Sequence, residues 1–357
     1  MKKIIAVVLT AVMVLSLCSC SFVNQKAYVS HLKDNTDFSG VVMMTKNGEP
    51  VYTAASGVLK KNSDEEITPD TLFCIGSVSK QFAAAAILTL QQDGKLSVDD
   101  PLTRYYPQYT IGKDITLRHL LDMRSGIPEF YDVEYIDNAF TELPTGELRG
   151  VVTNDNTAEE NRAILENWLM QQPLVFEPDT DFEYSNSNYF LLARIVEKVS
   201  GKSYADYVHE KIFEPLGMDN SMFIDEVDFR EVPHLAAPTV RPKTVYVGVT
   251  MGLGDMISNA HDMDCWLTSL KTNKVLTAES VAMMGTDYTA ADDEDYGFGV
   301  RMFGNGLFHS GSITTYEAMV YTDTEKGVNV FAVTNDEPDI PLSVSDIVWN
   351  LIDIMET

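Results

Sequence analysis

Strand-forming segments stand at both ends of this 357-residue chain and helix-forming ones fill its middle, which leaves few ways to fold it. Near the N-terminus, "GVVMMTKNGEPVYTAASGV", residues 40–58, gives two β-rich runs around Lys46-Asn47-Gly48-Glu49. Asn-Gly supplies the two positive φ angles of a tight hairpin turn. Toward the C-terminus, "YGFGVRMF", "LFHSGS", "YEAMVYTD" and "VNVFAVTN" read as strands, and "LSVSDIVWNLIDIM" as a last amphipathic helix. A lone hairpin is marginal in water, so the economical arrangement joins both ends in one antiparallel sheet. From Ser77 onward the chain turns alanine- and leucine-rich, with Gly94 near the stop of a first helix. Residues 112–290 then read mainly as helices and loops, among them "ITLRHLLDM", "NRAILENWLMQQ", "YFLLARIVEKVSG" and "AHDMDCWLTSLK".

The fold class expected is therefore α+β with two lobes: an antiparallel sheet of N- and C-terminal strands flanked by helices, and a mainly helical lobe. One domain is expected over 35–357, with the sheet lobe at about 35–80 and 291–357 and the helical lobe at about 81–290. A cleft between lobes is the natural place for a site. Residues 127–158, acidic and aromatic, lack periodicity and read as a long irregular loop, either a lid or a surface excursion.

The first residues, "MKKIIAVVLTAVMVLSLCSC", pair two lysines with an apolar stretch too short for a comfortable membrane span, the pattern of an export signal. Its end, "LCSC", resembles the bacterial lipoprotein signal, with cleavage after residue 19 and lipid on Cys20. Residues 20–34 then form a polar tether to the membrane. Loss of Cys18 with the signal and acylation of Cys20 leave Cys74 and Cys265 for the folded domain. That excludes a disulfide framework and leaves open either two buried thiols or one bridge. The 26 Lys+Arg stand against 53 Asp+Glu, a net charge of −27 that repels phosphate backbones, so nucleic acid is excluded as a partner.

The chemistry centres on "FCIGSVSKQF", residues 73–82. Ser77 lies one helical turn before Lys80, which puts their Cβ atoms about 5–6 Å apart on one face. A serine hydroxyl needs a base to become a nucleophile, and the apolar run before it can desolvate Lys80 and draw its pKa down from ~10.4. The same local facts fit a capping serine beside a surface lysine, and "SHLK" repeats the spacing at Ser30 and Lys33. "EYSNSNY" supplies Tyr184 and Asn186, a phenol able to shuttle a proton and an amide able to bond a substrate, or else an aromatic turn before a helix. "FHSGS" supplies His309 and Gly311 on a strand, where the N–H of Ser312 could join that of Ser77 in an oxyanion hole. The plainer alternative is a structural histidine.

In this order, Ser-x-x-Lys, Tyr-x-Asn and His-x-Gly resemble the serine β-lactamase and penicillin-binding protein family, in its class C-like branch of D,D-peptidases, D-aminopeptidases and esterases. Further likeness extends through "ITPDTLFCIGSVSKQFAAAAI", "DGKLSVDDPLTRYYP", "ITLRHLLDMRSGIPEF", "FEYSNSNYFLLARIVEKVSG", "IFEPLGMDNSMF" and "YGFGV". The resemblance implies an acyl-enzyme on Ser77, with Lys80 and Tyr184 moving its proton, the N–H groups of Ser77 and Ser312 holding the oxyanion, and Asn186, His309 and Gly311 lining the substrate. No metal or other cofactor is implied. The substrate expected is a small molecule or a peptidoglycan-like peptide. The alternative on the same fold is a non-hydrolytic penicillin-binding sensor or a structural cell-envelope protein. His309-Ser310-Gly311 stands where lactamases and D,D-peptidases commonly have Lys-Thr-Gly, which weakens recognition of an anionic terminus. A glycine usual in the family a few residues later is replaced at Thr315.

Overall fold

The computed structural model describes residues 38–136, 139–228, 231–238, 245–289, 294–336 and 343–356. The predicted export signal, the tether and Cys20 lie outside the described residues. In chain order the strands are β1 (Gly40–Lys46), β2 (Glu49–Ser56), β3 (Phe73–Cys74), β4 (Tyr131–Ile136), β5 (Ala139–Pro144), β6 (Met222–Phe223), β7 (Met256–Ser258), β8 (Arg301–Phe303), β9 (Gly306–Ile313), β10 (Tyr316–Asp323) and β11 (Val328–Thr334). The helices are α1 (Lys80–Gln92), α2 (Leu117–Leu121), α3 (Ala158–Leu169), α4 (Asn186–Ser200), α5 (Tyr204–Val208), α6 (Ala260–Thr272), α7 (Ala278–Met284) and α8 (Val344–Glu356). A π turn, His209–Phe213, and a last turn, Glu214–Leu216, prolong α5.

The Asn47-Gly48 turn forms with φ of 54° and 80°, and the hairpin it closes enters the same antiparallel sheet as the C-terminal strands. The order is β2-β1-β11-β10-β9-β8, as the two-ended strand pattern requires. Register then decides which side chains face which layer. Val41, Val333, Ala318 and Gly311 align across four strands, and so do Met43, Phe331, Val320 and His309. The apolar members of both rows belong to the main core with α1. Val42, Ala332 and Met319 point the other way and are covered by Val344, Ile347, Val348 and Leu351 of α8. The helix α1 is apolar all round and wholly buried from Phe82 to Leu88, as expected of a helix with no solvent face.

Three features differ from expectation. "YGFGVRMF" is a strand only over its last three residues, because Gly299, with φ of 70°, brings the backbone against α1, where a Cβ would meet the Lys80 carbonyl oxygen at 2.8 Å. The stretch 127–158 contains the β4–β5 hairpin, whose alternation of Tyr131, Val133 and Tyr135 with Asp132 and Glu134 is a period-2 pattern. The helix α6, within the predicted helical lobe, packs on the sheet: Asn329 Nδ2 donates to Asp264 Oδ1 at 2.8 Å and to Thr268 Oγ1 at 2.9 Å. Cys74 and Cys265 are both free thiols.

The turn between β9 and β10 puts Thr314 at φ of 56°, a left-handed conformation that costs a β-branched residue about 1–3 kcal/mol. Its Oγ1 is buried, with no hydrogen-bond partner among the described residues. By its backbone, Thr314 is thus a position that asks for glycine; it adjoins Thr315, singled out from the sequence. Thr314→Gly is expected to raise stability by ~1 kcal/mol, since the relieved strain exceeds the added backbone entropy of the unfolded chain. Urea unfolding checks this, and an unchanged or lowered midpoint counts against strain at that turn.

Candidate active site

Ser77 sits in a single 3-10 turn, Gly76–Ser79, that leads directly into α1. Two neighbours hold the turn. β3 pairs with β7 through Phe73 and Cys74, and Ser79 Oγ both donates to the Gly76 carbonyl at 2.7 Å and accepts the Met256 N–H at 3.1 Å. The turn therefore cannot rotate without breaking the small β3-β7-β6 sheet. Lys80 follows it and is completely buried. Its Nζ donates to Ser77 Oγ at 3.0 Å, to Asn186 Oδ1 at 2.7 Å and to the Leu253 carbonyl oxygen at 2.8 Å. An ammonium has three protons, and a buried charge left unbonded is costly, so these acceptors are what permits the burial.

Tyr184 precedes α4 and Asn186 opens it. The Lys80 Nζ lies 4.9 Å from the centre of the Tyr184 ring and 5.8 Å from that of Tyr189. Burial pushes the Tyr184 phenol well above its ordinary range, and its interaction with the Ser77 hydroxyl works in the opposite direction. The loop after α2, "RSGIPEF", clasps the start of α4: Ser187 Oγ donates to the Pro128 carbonyl at 2.6 Å, and the Asn186 N–H donates to Glu129 Oε2 at 2.6 Å.

The strand β9 brings the third group. Gly311 lies so close to the Ser77 turn that a Cβ there would meet the Ile75 carbonyl oxygen at 2.0 Å and the Ser77 nitrogen at 2.8 Å. The approach is reciprocal. A Cβ on Gly76, whose φ is 53°, would meet the Ser312 nitrogen at 2.7 Å. Gly76 thus makes room for β9 itself. Ser77 and Ser312 border one cleft of about 390 Å³, also lined by Tyr184, Arg301 and His309. A larger cavity of about 640 Å³, bordered by Asn154, Asp225 and Val247, contains none of the predicted groups.

The structure therefore gathers Ser77, Lys80, Tyr184, Asn186, His309, Gly311 and Ser312 around one cleft and its floor. It also adds groups that were not singled out. Leu253 contributes only a carbonyl oxygen, which carries no sequence signal. Tyr296, in "YGFGV", faces His309, and Glu129 stands in the motif "SGIPEF" next to the aromatic Phe130. Arg301 lies on the cleft wall, and its Nη1 donates to the Glu294 carbonyl at 2.9 Å. Among the described residues, no group of three His, Cys, Asp or Glu side chains could hold a metal ion.

His309 is nearly fully buried, and burial together with the Lys80 charge pushes its imidazole down to about 3. Its Nδ1 is 2.5 Å from the Ser310 carbonyl oxygen, which can only accept, so Nδ1 carries the proton. Nε2 is then the acceptor for the Tyr296 hydroxyl at 3.3 Å. Because the group is held below its ordinary value, it gains charge only as pH falls toward 3. Nitrogen NMR of the ring is expected to report the neutral Nδ1–H tautomer from pH 5 to pH 8. A protonation step inside that window would refute the assignment.

A profile of the family described as Beta-lactamase matches residues 26–350. A penicillin-binding protein candidate of Bacillus subtilis (strain 168), PbpX, is 30% identical over 281 residues, 77% of this chain and 64% of that protein. The teichoic acid D-alanine hydrolase of Staphylococcus aureus (strain MRSA252) is 27% identical over 197 residues, covering 55% of this chain and 44% of the relative. The chain thus spans less than two thirds of the length of either. Among solved structures, the octameric penicillin-binding protein homologue from Pyrococcus abyssi superposes with a TM-score of 0.74 at 27% identity, over 92% of this chain and 76% of that one. With a serine and a lysine in bonding contact at the start of a buried helix, and a family match over nearly all of its length, the chain belongs to the Beta-lactamase family.

Proposed function

We propose that the protein is an extracytoplasmic serine hydrolase that cleaves an amide or ester through an acyl-enzyme on Ser77. The observation that carries this reading is the 3.0 Å bond between Lys80 Nζ and Ser77 Oγ with the lysine wholly out of solvent. In the step proposed, the Ser77 proton passes to the neutral amine of Lys80 as Oγ attacks the carbonyl carbon. Tyr184, facing the same hydroxyl, relays the proton to the leaving amine or alcohol. The backbone N–H groups of Ser77 and Ser312 receive the oxyanion across the junction that Gly76 and Gly311 permit. Water then breaks the acyl bond, and its proton returns through the same pair to Ser77.

For substrate we favour a D-amino-acid ester or amide, or a peptidoglycan-like D-peptide without a free carboxylate at the scissile end, over an antibiotic lactam. A neutral, buried His309 offers no charge to an anionic terminus. Likeness to the teichoic acid D-alanine hydrolase supports the ester arm of the proposal. The end of the apolar N-terminal stretch, "LCSC", supports attachment to the membrane through a lipid on Cys20.

Ser77→Ala is expected to abolish labelling by a fluorophosphonate and to lower turnover of p-nitrophenyl esters and D-amino-acid amides by at least ~10³-fold. Hydrolysis that survives the substitution would sink the acyl-enzyme reading. Stoichiometric labelling by fluorescent penicillin without turnover would point to a sensor. For the anchor, Cys20→Ala is expected to move the protein from the membrane fraction to the soluble one, and quantitative retention would disprove lipidation there.

A further inference from the structure

Glu129 is a carboxylate that the acyl-enzyme scheme above does not use. It lies in the loop after α2 and accepts three backbone N–H groups: that of Asn186 through Oε2 at 2.6 Å, and those of Phe130 and Tyr131 through Oε1 at 2.8 and 3.1 Å. Asn186 is the residue whose side-chain oxygen accepts the Lys80 ammonium at 2.7 Å. A chain of two hydrogen bonds, through the backbone and then the side chain of one residue, therefore runs from Glu129 to Lys80. The loop is also fastened to α4 by Ser187 and the Pro128 carbonyl, so Glu129 is not the sole tie between the two.

We propose that Glu129 is a positioning residue for acylation: it holds Tyr184-x-Asn186 against Lys80, and its negative charge sets the pH at which Ser77 becomes reactive. The inference rests on the acyl-enzyme reading. Among the described residues, titratable groups that act on or lie against Lys80 include Glu129, Tyr184, Tyr189 and His309. Burial holds both phenols neutral well above the ordinary range, and His309 is neutral above about 3. Burial pushes the Glu129 carboxyl up to about 7, against the pull of the Asn186 amide and the Lys80 charge. Asp122 is pushed up to about 7 as well, but it acts on Tyr189 and Tyr296. Arg301 is felt at Tyr184 as a fixed positive charge. As pH rises through about 7, Glu129 ionises, favours the ammonium form of Lys80 and holds the base back.

The test is the rate of fluorophosphonate labelling of Ser77 in the full chain from pH 5 to pH 9, read by intact mass, with thermal melts alongside. Glu129→Gln removes the charge together with one of the two acceptor oxygens; loss of the charge is expected to move the acid limb of the profile at least about one pH unit lower, and the lost acceptor is read separately in the plateau and the melt. Glu129→Asp keeps the charge but is one methylene short of the Asn186 N–H, so the plateau rate should fall about tenfold or more with the limb in place. A glutamine variant with the wild-type limb, or an aspartate variant with the wild-type plateau, overturns the inference while the acyl-enzyme reading stands. Should the glutamine variant fail to fold, the aspartate plateau alone decides. Wild-type protein that takes no label at any pH overturns both.

Discussion

The arrangement depends on one side chain placed where no charge should be. Lys80 is wholly buried at the start of an all-apolar helix, and an ammonium in such surroundings is tolerated only when every proton is bonded. Acceptors for it come from the turn before it and from two distant parts of the chain, the opening of α4 and the loop leading to β7. Satisfying one lysine therefore ties the serine, the Tyr184-x-Asn186 segment and the Leu253 carbonyl into a single cluster. Removing any acceptor leaves a buried donor without its partner, which is the expensive outcome.

Glycine does for the backbone what Lys80 does for the side chains. Gly76 and Gly311 face each other across the junction of the helical turn and β9, and each leaves no room for a methyl group. Sheet register then takes over. Because Gly311 and His309 are two residues apart on β9, both point to the inner face, while Ser310 and Ser312 do not. A slip of one residue would reverse the set and carry the glycine away from Ser77.

Much of this was legible before any coordinates. The Asn47-Gly48 hairpin, the shared sheet and the helices of the middle follow from turn chemistry and periodicity, and Ser77 was separated from Ser30 by the order of three motifs. What was not legible is instructive. The Leu253 acceptor is a main-chain oxygen, identical in every residue. Glu129 and Tyr296 act through partners that only the fold brings near, and each sits among acids or aromatics that look like ordinary surface or core. The β4–β5 hairpin was hidden by acidic residues that lowered the apparent hydrophobicity of a true period-2 run. The left-handed backbone at Thr314 was not legible either, because a threonine carries no sign of a positive φ.

The sheet has a consequence for how the molecule assembles. β1 is flanked by β2 on one side and by β11 on the other, so its second neighbour is synthesised only after the helical middle of the chain. The bond from Thr334 Oγ1 to the Ser39 carbonyl oxygen spans 295 positions of chain. Until β11 is available, the early hairpin is a two-stranded ribbon with an unpaired edge, and its closure must await an entropically expensive long loop. A ribosome making this protein therefore adds the whole helical middle of the chain before the sheet can close.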